Sequence, residues 1–257
     1  MRPLLETRGL SVSAGGRMLC EALDLLIRPG QSWALLGRNG AGKTTLLHHL
    51  AGLRPVGPAQ VFVDGEDLAG LGPRQRARRV GILLQHSSRG FGASVLDTVL
   101  SGRHPHLSTL AWENASDLAI ATQCIQALDL SELGARSLDT LSGGELRRVE
   151  IARLLAQQTP LSLLDEPTNH LDLAHQAACL RTLLTRCVDA RRAMLMVVHD
   201  LNLAYRACDH WLLLDGDGGW HAGAREELSD PMTLSRAYGH PISCIGSEQG
   251  PVFVAQM

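Results

Sequence analysis

No apolar run in this sequence approaches the 18 or more residues of a membrane-spanning helix, and residues 1–10 lack the apolar stretch of a signal peptide. The expectation is a cytosolic chain whose membrane association goes through a partner. Net charge is also nearly absent: 24 Lys and Arg stand against 26 Asp and Glu. That gives no electrostatic argument for nucleic acid or anionic lipid as a partner. The six cysteines, Cys20, Cys124, Cys179, Cys187, Cys208 and Cys244, show no C-x-x-C or other metal-ligand spacing, so they read as reduced thiols packed as small hydrophobes. Internal repeats, low-complexity tracts and sustained heptads are missing, which excludes a solenoid and a long coiled coil. Aromatic residues are scarce, and none precedes Trp33.

What is present is an ordinary globular balance, 45% apolar and 19% charged over 257 residues, long enough for one α/β domain with an inserted subdomain. Gly37-Arg38-Asn39-Gly40-Ala41-Gly42-Lys43-Thr44 fits the G-x-x-x-x-G-K-[ST] phosphate loop at every fixed position. The apolar run from Ser32 to Leu36 and the helix-forming run from Lys43 to Leu50 supply the strand and helix that such a loop requires. Backbone N–H groups of the loop, together with Lys43 and the Thr44 and Thr45 that follow, are expected around phosphates, with the Thr44 hydroxyl a ligand for Mg²⁺. A second anion-binding turn, Leu141-Ser142-Gly143-Gly144-Glu145, opens the helical run to Gln157. One nucleotide carries one triphosphate. The economical account is two shared sites, with one chain's loop below the nucleotide and a second chain's turn above it.

In its order of motifs the chain resembles the nucleotide-binding subunit of ATP-binding-cassette (ABC) transporters. The resemblance covers about Leu4 to Gly239 and rests on the phosphate loop, Gln85 at a strand end, the Leu141–Glu145 signature, the buried strand Leu161–Leu164 leading to Asp165-Glu166, the loop Asn169-His170-Leu171-Asp172, and His199. It implies a P-loop NTPase (RecA-like) core with an N-terminal antiparallel β piece, a helical subdomain at about 86–157 and a C-terminal extension at about 225–257. It also implies a homodimer that binds ATP and Mg²⁺ and hydrolyses the ATP. Lys43 would hold phosphate, with Gly37, Asn39, Gly40, Ala41, Gly42, Thr44 and Thr45 around it. Asp165, Thr44 and Gln85 would hold the metal. Glu166 would be the general base or water-orienting carboxylate, His199 would reach the γ-phosphate, and Ser142, Gly143, Gly144 and Asp172 would contribute across the dimer. The implied partners are transmembrane permease subunits at the cytoplasmic face of the inner membrane and, indirectly, a periplasmic substrate-binding protein.

The run Ser101-Gly102-Arg103-His104-Pro105-His106-Leu107 and the segment Ala237-Tyr238-Gly239 resemble the subfamily serving importers of cobalamin, haem and iron-siderophores, with a lean to cobalamin. A soluble ABC ATPase of translation or DNA repair and a non-catalytic regulatory cassette are the rival readings. Phe91 to Thr98 is the expected docking surface for the permease, local packing being the alternative for Phe91. His104 and His106 flank a proline without a third ligand nearby, a poor metal site. Strands are expected over Leu4–Val12 and Ala22–Ile27, and helices over Ser94–Ser101 and Trp112–Leu128. One departure stands out. Where the family places an aromatic residue to stack on adenine, this chain has Ala14, and Trp33 reads as core.

Overall fold

The computed structural model describes residues 2–85, 92–108, 111–169, 171–247 and 250–256. Strands β1 (Leu5–Thr7), β2 (Leu10–Ala14), β3 (Arg17–Leu23) and β4 (Leu26–Ile27) precede β5 (Ser32–Gly37) and helix α1 (Lys43–Leu50). Next come β6 (Val61–Val63), β7 (Glu66–Asp67), α2 (Pro73–Arg79) and β8 (Val80–Leu83). Helices α3 (Val95–Leu100), α4 (Ala115–Ala127) and α5 (Gly143–Gln157) lie between β8 and β9 (Leu161–Asp165). They are followed by α6 (Leu173–Cys187), β10 (Ala193–Val197), α7 (Leu201–Ala207), β11 (His210–Leu214) and β12 (Trp220–Ala224). Helices α8 (Arg225–Leu228) and α9 (Pro231–Tyr238) and the hairpin β13 (Ile242–Ser247) and β14 (Gly250–Ala255) follow.

The central sheet runs β12-β11-β5-β10-β9-β8, parallel except for β12. Strands β5, β9 and β10 are buried along their whole length, as a parallel sheet covered on both faces demands. Alternate side chains sort to opposite faces. Ala34, Leu36, Leu164, Met194, Met196, Trp211 and Leu213 join the apolar cluster formed with the helices α3 to α7 and α9. Trp33, Leu35, Leu163, Leu195, Leu212 and Leu214 join the cluster on the other face, beneath α1 and the N-terminal strands. The period of two thus packs helices on one side and the antiparallel sheet β4-β1-β6-β7 on the other.

Three boundaries differ from the sequence expectation. The stretch expected as one strand over Leu4–Val12 breaks at Gly9, whose φ is +55°, and the chain resumes as a β2–β3 hairpin through Gly15-Gly16. The second strand of that hairpin begins at Arg17, ahead of the expected Ala22. Helix α4 starts at Ala115, past the expected Trp112, because Asn114 caps it: its Oδ1 accepts from the N–H groups of Ser116 and Asp117. Trp112 is left outside the helix and 89% exposed. Phe91, the first residue of the expected docking surface, lies outside the described residues. The rest of that stretch is the capped start of α3, where Ser94 accepts from the Asp97 N–H.

Candidate functional site

Strand β5 ends at Gly37, with φ +140° and a backbone so close to its neighbour that a Cβ would stand 2.6 Å from the Leu214 carbonyl oxygen. Gly42 closes the loop at φ +95°, where a Cβ would meet Leu19 at 2.7 Å. Only glycine fits both the angles and the space. Gly42 is also the N-cap of α1 and offers no side chain to the first turn, whose N–H groups are therefore available to an anion. Lys43 is buried, and its Nζ donates to the carbonyls of Gly37 at 2.8 Å and Arg38 at 3.1 Å. Burial pushes its pKa down, while the charges of Glu166 and Asp165 act the other way.

Above this loop is a cavity of about 650 Å³ lined by Ala14, Arg17, Leu19, Asn39, Gly40, Gly42, Lys43, Thr44, Thr45, Gln85, Glu166 and His199. Gln85 arrives from just beyond β8, Glu166 from the end of β9, and His199 from beyond β10. All three follow the carboxyl ends of parallel strands, the edge where α/β sheets bind ligands. Glu166 is 8% exposed and carries a left-handed φ of +47°. Its Oε2 accepts from Gln85 Nε2 at 3.1 Å and from Asn169 Nδ2, and its Oε1 is hydrogen-bonded to His199 Nε2. Three neutral or protonatable groups thus converge on one carboxylate.

Asp165, fully buried, has both carboxylate oxygens without a hydrogen-bond partner among the described residues. Burial raises its pKa, the Thr44 hydroxyl partly offsets this, and the Glu166 charge adds to it. A buried, unpaired carboxylate beside a hydroxyl and a phosphate loop is a fit for a divalent cation. No group of three or more His, Cys, Asp or Glu is arranged to hold a metal among the described residues. The remaining ligands of a cation here would therefore be phosphate and water oxygens, as hard cations at NTPase sites use.

Ser142, Gly143, Gly144 and Asp172 do not line the cavity within one chain. Ser142 caps α5, accepting from the Glu145 N–H at 3.2 Å while its own N–H donates to Glu145 Oε2 at 2.7 Å. Asp172 caps α6 and pairs with His175 Nδ1 at 2.8 Å. His106, one of the two histidines beside Pro105, has Nε2 2.8 Å from the Gln157 carbonyl oxygen, and His104 pairs with Glu113 at 3.3 Å. Trp33 is buried and stacks on His210 at 4.8 Å between ring centroids, far from any role as an open platform for a base. Sequence reasoning missed the contacts of Asn169 with Glu166 and the place of Arg147 behind the site. The only signal for the latter was an Arg–Glu pair three residues apart in the helix, which usually marks a solvated face.

A family model described as ABC transporter matches residues 20–169, more than half of the chain. The chain belongs to the ABC transporter family. Its full-length relatives include the hemin import ATP-binding protein HmuV of Myxococcus xanthus, 39% identical over 98% of this chain and 97% of that protein. The protein of the same name from Deinococcus radiodurans is 40% identical over 93% of this chain and 92% of its own length. Among solved structures, a chain described as from a metal-chelate type ABC transporter in an inward-facing conformation superposes with a TM-score of 0.84 at 28% identity. The superposition covers 99% of this chain and 98% of that one. A nucleotide-free ATP-binding cassette superposes with a TM-score of 0.76 at 22% identity, a likeness of fold. The mixed α/β architecture with its parallel core is thus the P-loop ATPase fold of ABC proteins. As an ABC ATPase the chain binds ATP and couples its hydrolysis to transport. No helix among the described residues is long and apolar enough to cross a membrane, and import ATPases of this family work with membrane permease components.

Proposed function

We propose that this chain is the ATP-hydrolysing subunit of a haem importer and acts as a homodimer against a permease at the cytoplasmic face of the inner membrane. The observation that carries the chemistry is the Glu166 carboxylate, held by Gln85, Asn169 and His199 at the mouth of the phosphate loop. Near-full-length relatives named for hemin import support haem as the cargo in preference to cobalamin. Mg²⁺ would be held by Thr44 and Asp165, with Gln85 nearby, and would neutralise charge that builds on the phosphates.

In this reading Lys43 and the α1 N–H groups fix the β- and γ-phosphates, and Glu166 orients the attacking water and draws its proton. His199, hydrogen-bonded to Glu166, sits where it would meet the γ-phosphate. Such chemistry depends on placing charge and water, since the transition state is largely dissociative. Ser142, Gly143 and Gly144 of a second copy would close over the nucleotide, and Asp172 would lie at the seam. Residues from about 86 to 157 would act as the helical subdomain that receives the permease, and about 225–257 as an extension. A periplasmic substrate-binding protein would deliver the cargo.

The test is uptake in a deletion strain and in liposomes carrying the chain with its permease and binding protein. Haem uptake should need ATP and this chain, and Glu166→Gln should abolish it. Normal haem uptake with loss of cobalamin or siderophore uptake would reassign the cargo and leave the ATPase reading standing.

A further inference from the structure

We propose that Arg147 is a positioning residue that locks the Gln85 and Glu166 backbones to the signature helix, so that movement of the helix start reaches the water-orienting carboxylate. Arg147 lies five residues along from Ser142 on α5, about 7.5 Å at the helical rise. It is 5% exposed. All five N–H donors of its guanidinium are used. Nε donates to the Pro167 carbonyl at 3.1 Å, and Nη2 to the carbonyls of Asp165 at 2.7 Å and Glu166 at 2.9 Å. Nη1 donates to the Leu84 carbonyl at 2.6 Å and to Glu150 Oε2 at 2.9 Å.

These contacts are not ordinary packing. One planar group clamps three consecutive carbonyls, those of Asp165, Glu166 and Pro167, and in the same plane takes the carbonyl of the residue before Gln85. Both polypeptide segments that supply the Gln85–Glu166 hydrogen bond are therefore referenced to a single rigid fork. The middle residue of the clamped run is Glu166, whose φ of +47° is unfavourable for a side-chain-bearing residue. A conformation of that kind persists only where the surroundings over-determine it. Arg147 supplies that determination from below, and Gln85, Asn169 and His199 supply it from above. Glu150 supplies the countercharge that a buried guanidinium needs.

The arrangement has a directional consequence. Ser142 caps the helix that carries Arg147, so a shift of α5 when Ser142 meets a partner's nucleotide carries the fork with it. The carbonyls of Leu84 and Glu166 move in concert, and the geometry at the chain's own carboxylate changes. A lysine at this position would keep the charge but lose the fork, because an ammonium presents a point charge with three rotatable donors.

This inference rests on Glu166 being the water-orienting carboxylate, and the experiment separates the two. ATP turnover, KM and equilibrium ATP binding are measured in the full-length protein for wild type, Arg147→Lys, Arg147→Gln, Glu166→Gln and Arg147→Gln/Glu166→Gln. The expectation is a roughly 10- to 100-fold fall in kcat for Arg147→Gln and a smaller fall for Arg147→Lys, with KM and ATP binding within about 3-fold of wild type. The double variant should turn over no more slowly than Glu166→Gln alone, because two residues acting as one unit are non-additive. Wild-type kcat per folded molecule in Arg147→Gln, or a loss lying wholly in KM, overturns the positioning role. So does a double variant in which the two losses multiply. If Arg147→Gln does not fold, Arg147→Lys decides: wild-type kcat with the charge kept and the fork lost overturns the proposal. Near-normal turnover in Glu166→Gln instead overturns the reading of Glu166 on which the proposal stands.

Discussion

Helices α1 and α5 both start on glycine-rich turns, and they are finished in opposite ways. The α1 start has glycine at the N-cap with no side-chain cap, and its lysine is folded back on the loop carbonyls. The α5 start satisfies itself: Ser142 and Glu145 form a reciprocal capping box, and the Glu145 carboxyl is held below its usual range first by the Ser142 N–H. A cap of this type contributes about 1 kcal/mol. The first start is therefore left open for an anion within its own chain. The second carries its own negative charge at the positive end of the helix, so it is stable without a nucleotide and meets phosphate only against that charge. This difference is what a shared site requires. In the proposed homodimer one end would bind ATP alone, while the other would stay closed until a partner presents the phosphates.

The severest test joins the two starts. Glu166→Gln keeps the side chain's size and removes its charge at the water, so turnover should fall by about 10²- to 10⁴-fold, the range for general acid–base catalysis. ATP binding should survive, and the protein should accumulate as an ATP-bound dimer in gel filtration with Mg²⁺. A persistent monomer under those conditions would break the shared-site account.

The two starts should also respond differently to their own substitutions. Lys43→Ala removes a charged hydrogen-bond donor to phosphate, worth about 1.5–3 kcal/mol. Its ATP affinity should fall by about 10- to 150-fold. Ser142→Arg and Gly143→Asp should abolish hydrolysis yet leave ATP binding to the isolated chain within about 3-fold. Mixing Lys43→Ala with Ser142→Arg under subunit exchange should recover turnover, since one composite site per mixed dimer is then intact. No recovery, or weak ATP binding in the signature variants, would mean that the α5 start does not act across a dimer.

A third test concerns the floor beneath the open start. Burial disfavours the charge on Asp165, so Asp165→Asn, which keeps a buried polar group but removes its charge, should stabilise the nucleotide-free protein by about 1–3 kcal/mol. For a chain of this size that is a rise in Tm of about 2–12 °C. The same variant should lose the dependence of ATP binding on Mg²⁺, which titration with and without EDTA measures. The sign follows from the raised pKa of Asp165: its charged form is disfavoured in the empty fold, so stability falls as rising pH ionises it. A lower Tm in Asp165→Asn would show that the carboxylate is held by something other than a cation.

The parts of this comparison differ in how far they could be read from sequence. The α1 start was legible because glycine spacing, Lys43 and the flanking apolar runs are local, and local geometry dictates them. Strands β5, β9 and β10 were legible as continuous apolar runs. The self-capping of α5 is also local, since Ser142 and Glu145 stand three apart, but the same letters suit an open anion site, and sequence does not choose between the two. Arg147 was illegible because its partners, Leu84 and Asp165 to Pro167, are brought to it only by the order of strands in the sheet. The break at Gly9 and the Asn114 cap were missed where an apolar or helical pattern ran on past a backbone signal.

The smallest expected effect lies at the far end of the cavity, where the open start gives way to Ala14, Arg17 and Leu19. Ala14 ends β2 and pairs with Arg17 across the hairpin, and Arg17 Nη2 donates to the Gly216 carbonyl of the β11–β12 turn. Among the described residues no Phe, Tyr or Trp lines the cavity, and the one lining ring, the His199 imidazole, is hydrogen-bonded to Glu166. Stacking on an aromatic side chain is worth about 1–3 kcal/mol by alanine substitution, or about 5- to 150-fold in affinity. Without it, grip falls mainly to the phosphate end, and ATP and GTP should bind the isolated chain with similar, weak affinity. Ala14→Tyr should tighten ATP by about 5-fold, because a tyrosine on this hairpin edge would be only partly ordered before the base arrives. Calorimetric titration of both proteins with ATP and GTP decides the matter. A strong preference for ATP in the wild type, with no gain from Ala14→Tyr, would place the base on the anchored guanidinium of Arg17. Arg17→Ala should then cost the affinity that Ala14→Tyr failed to add.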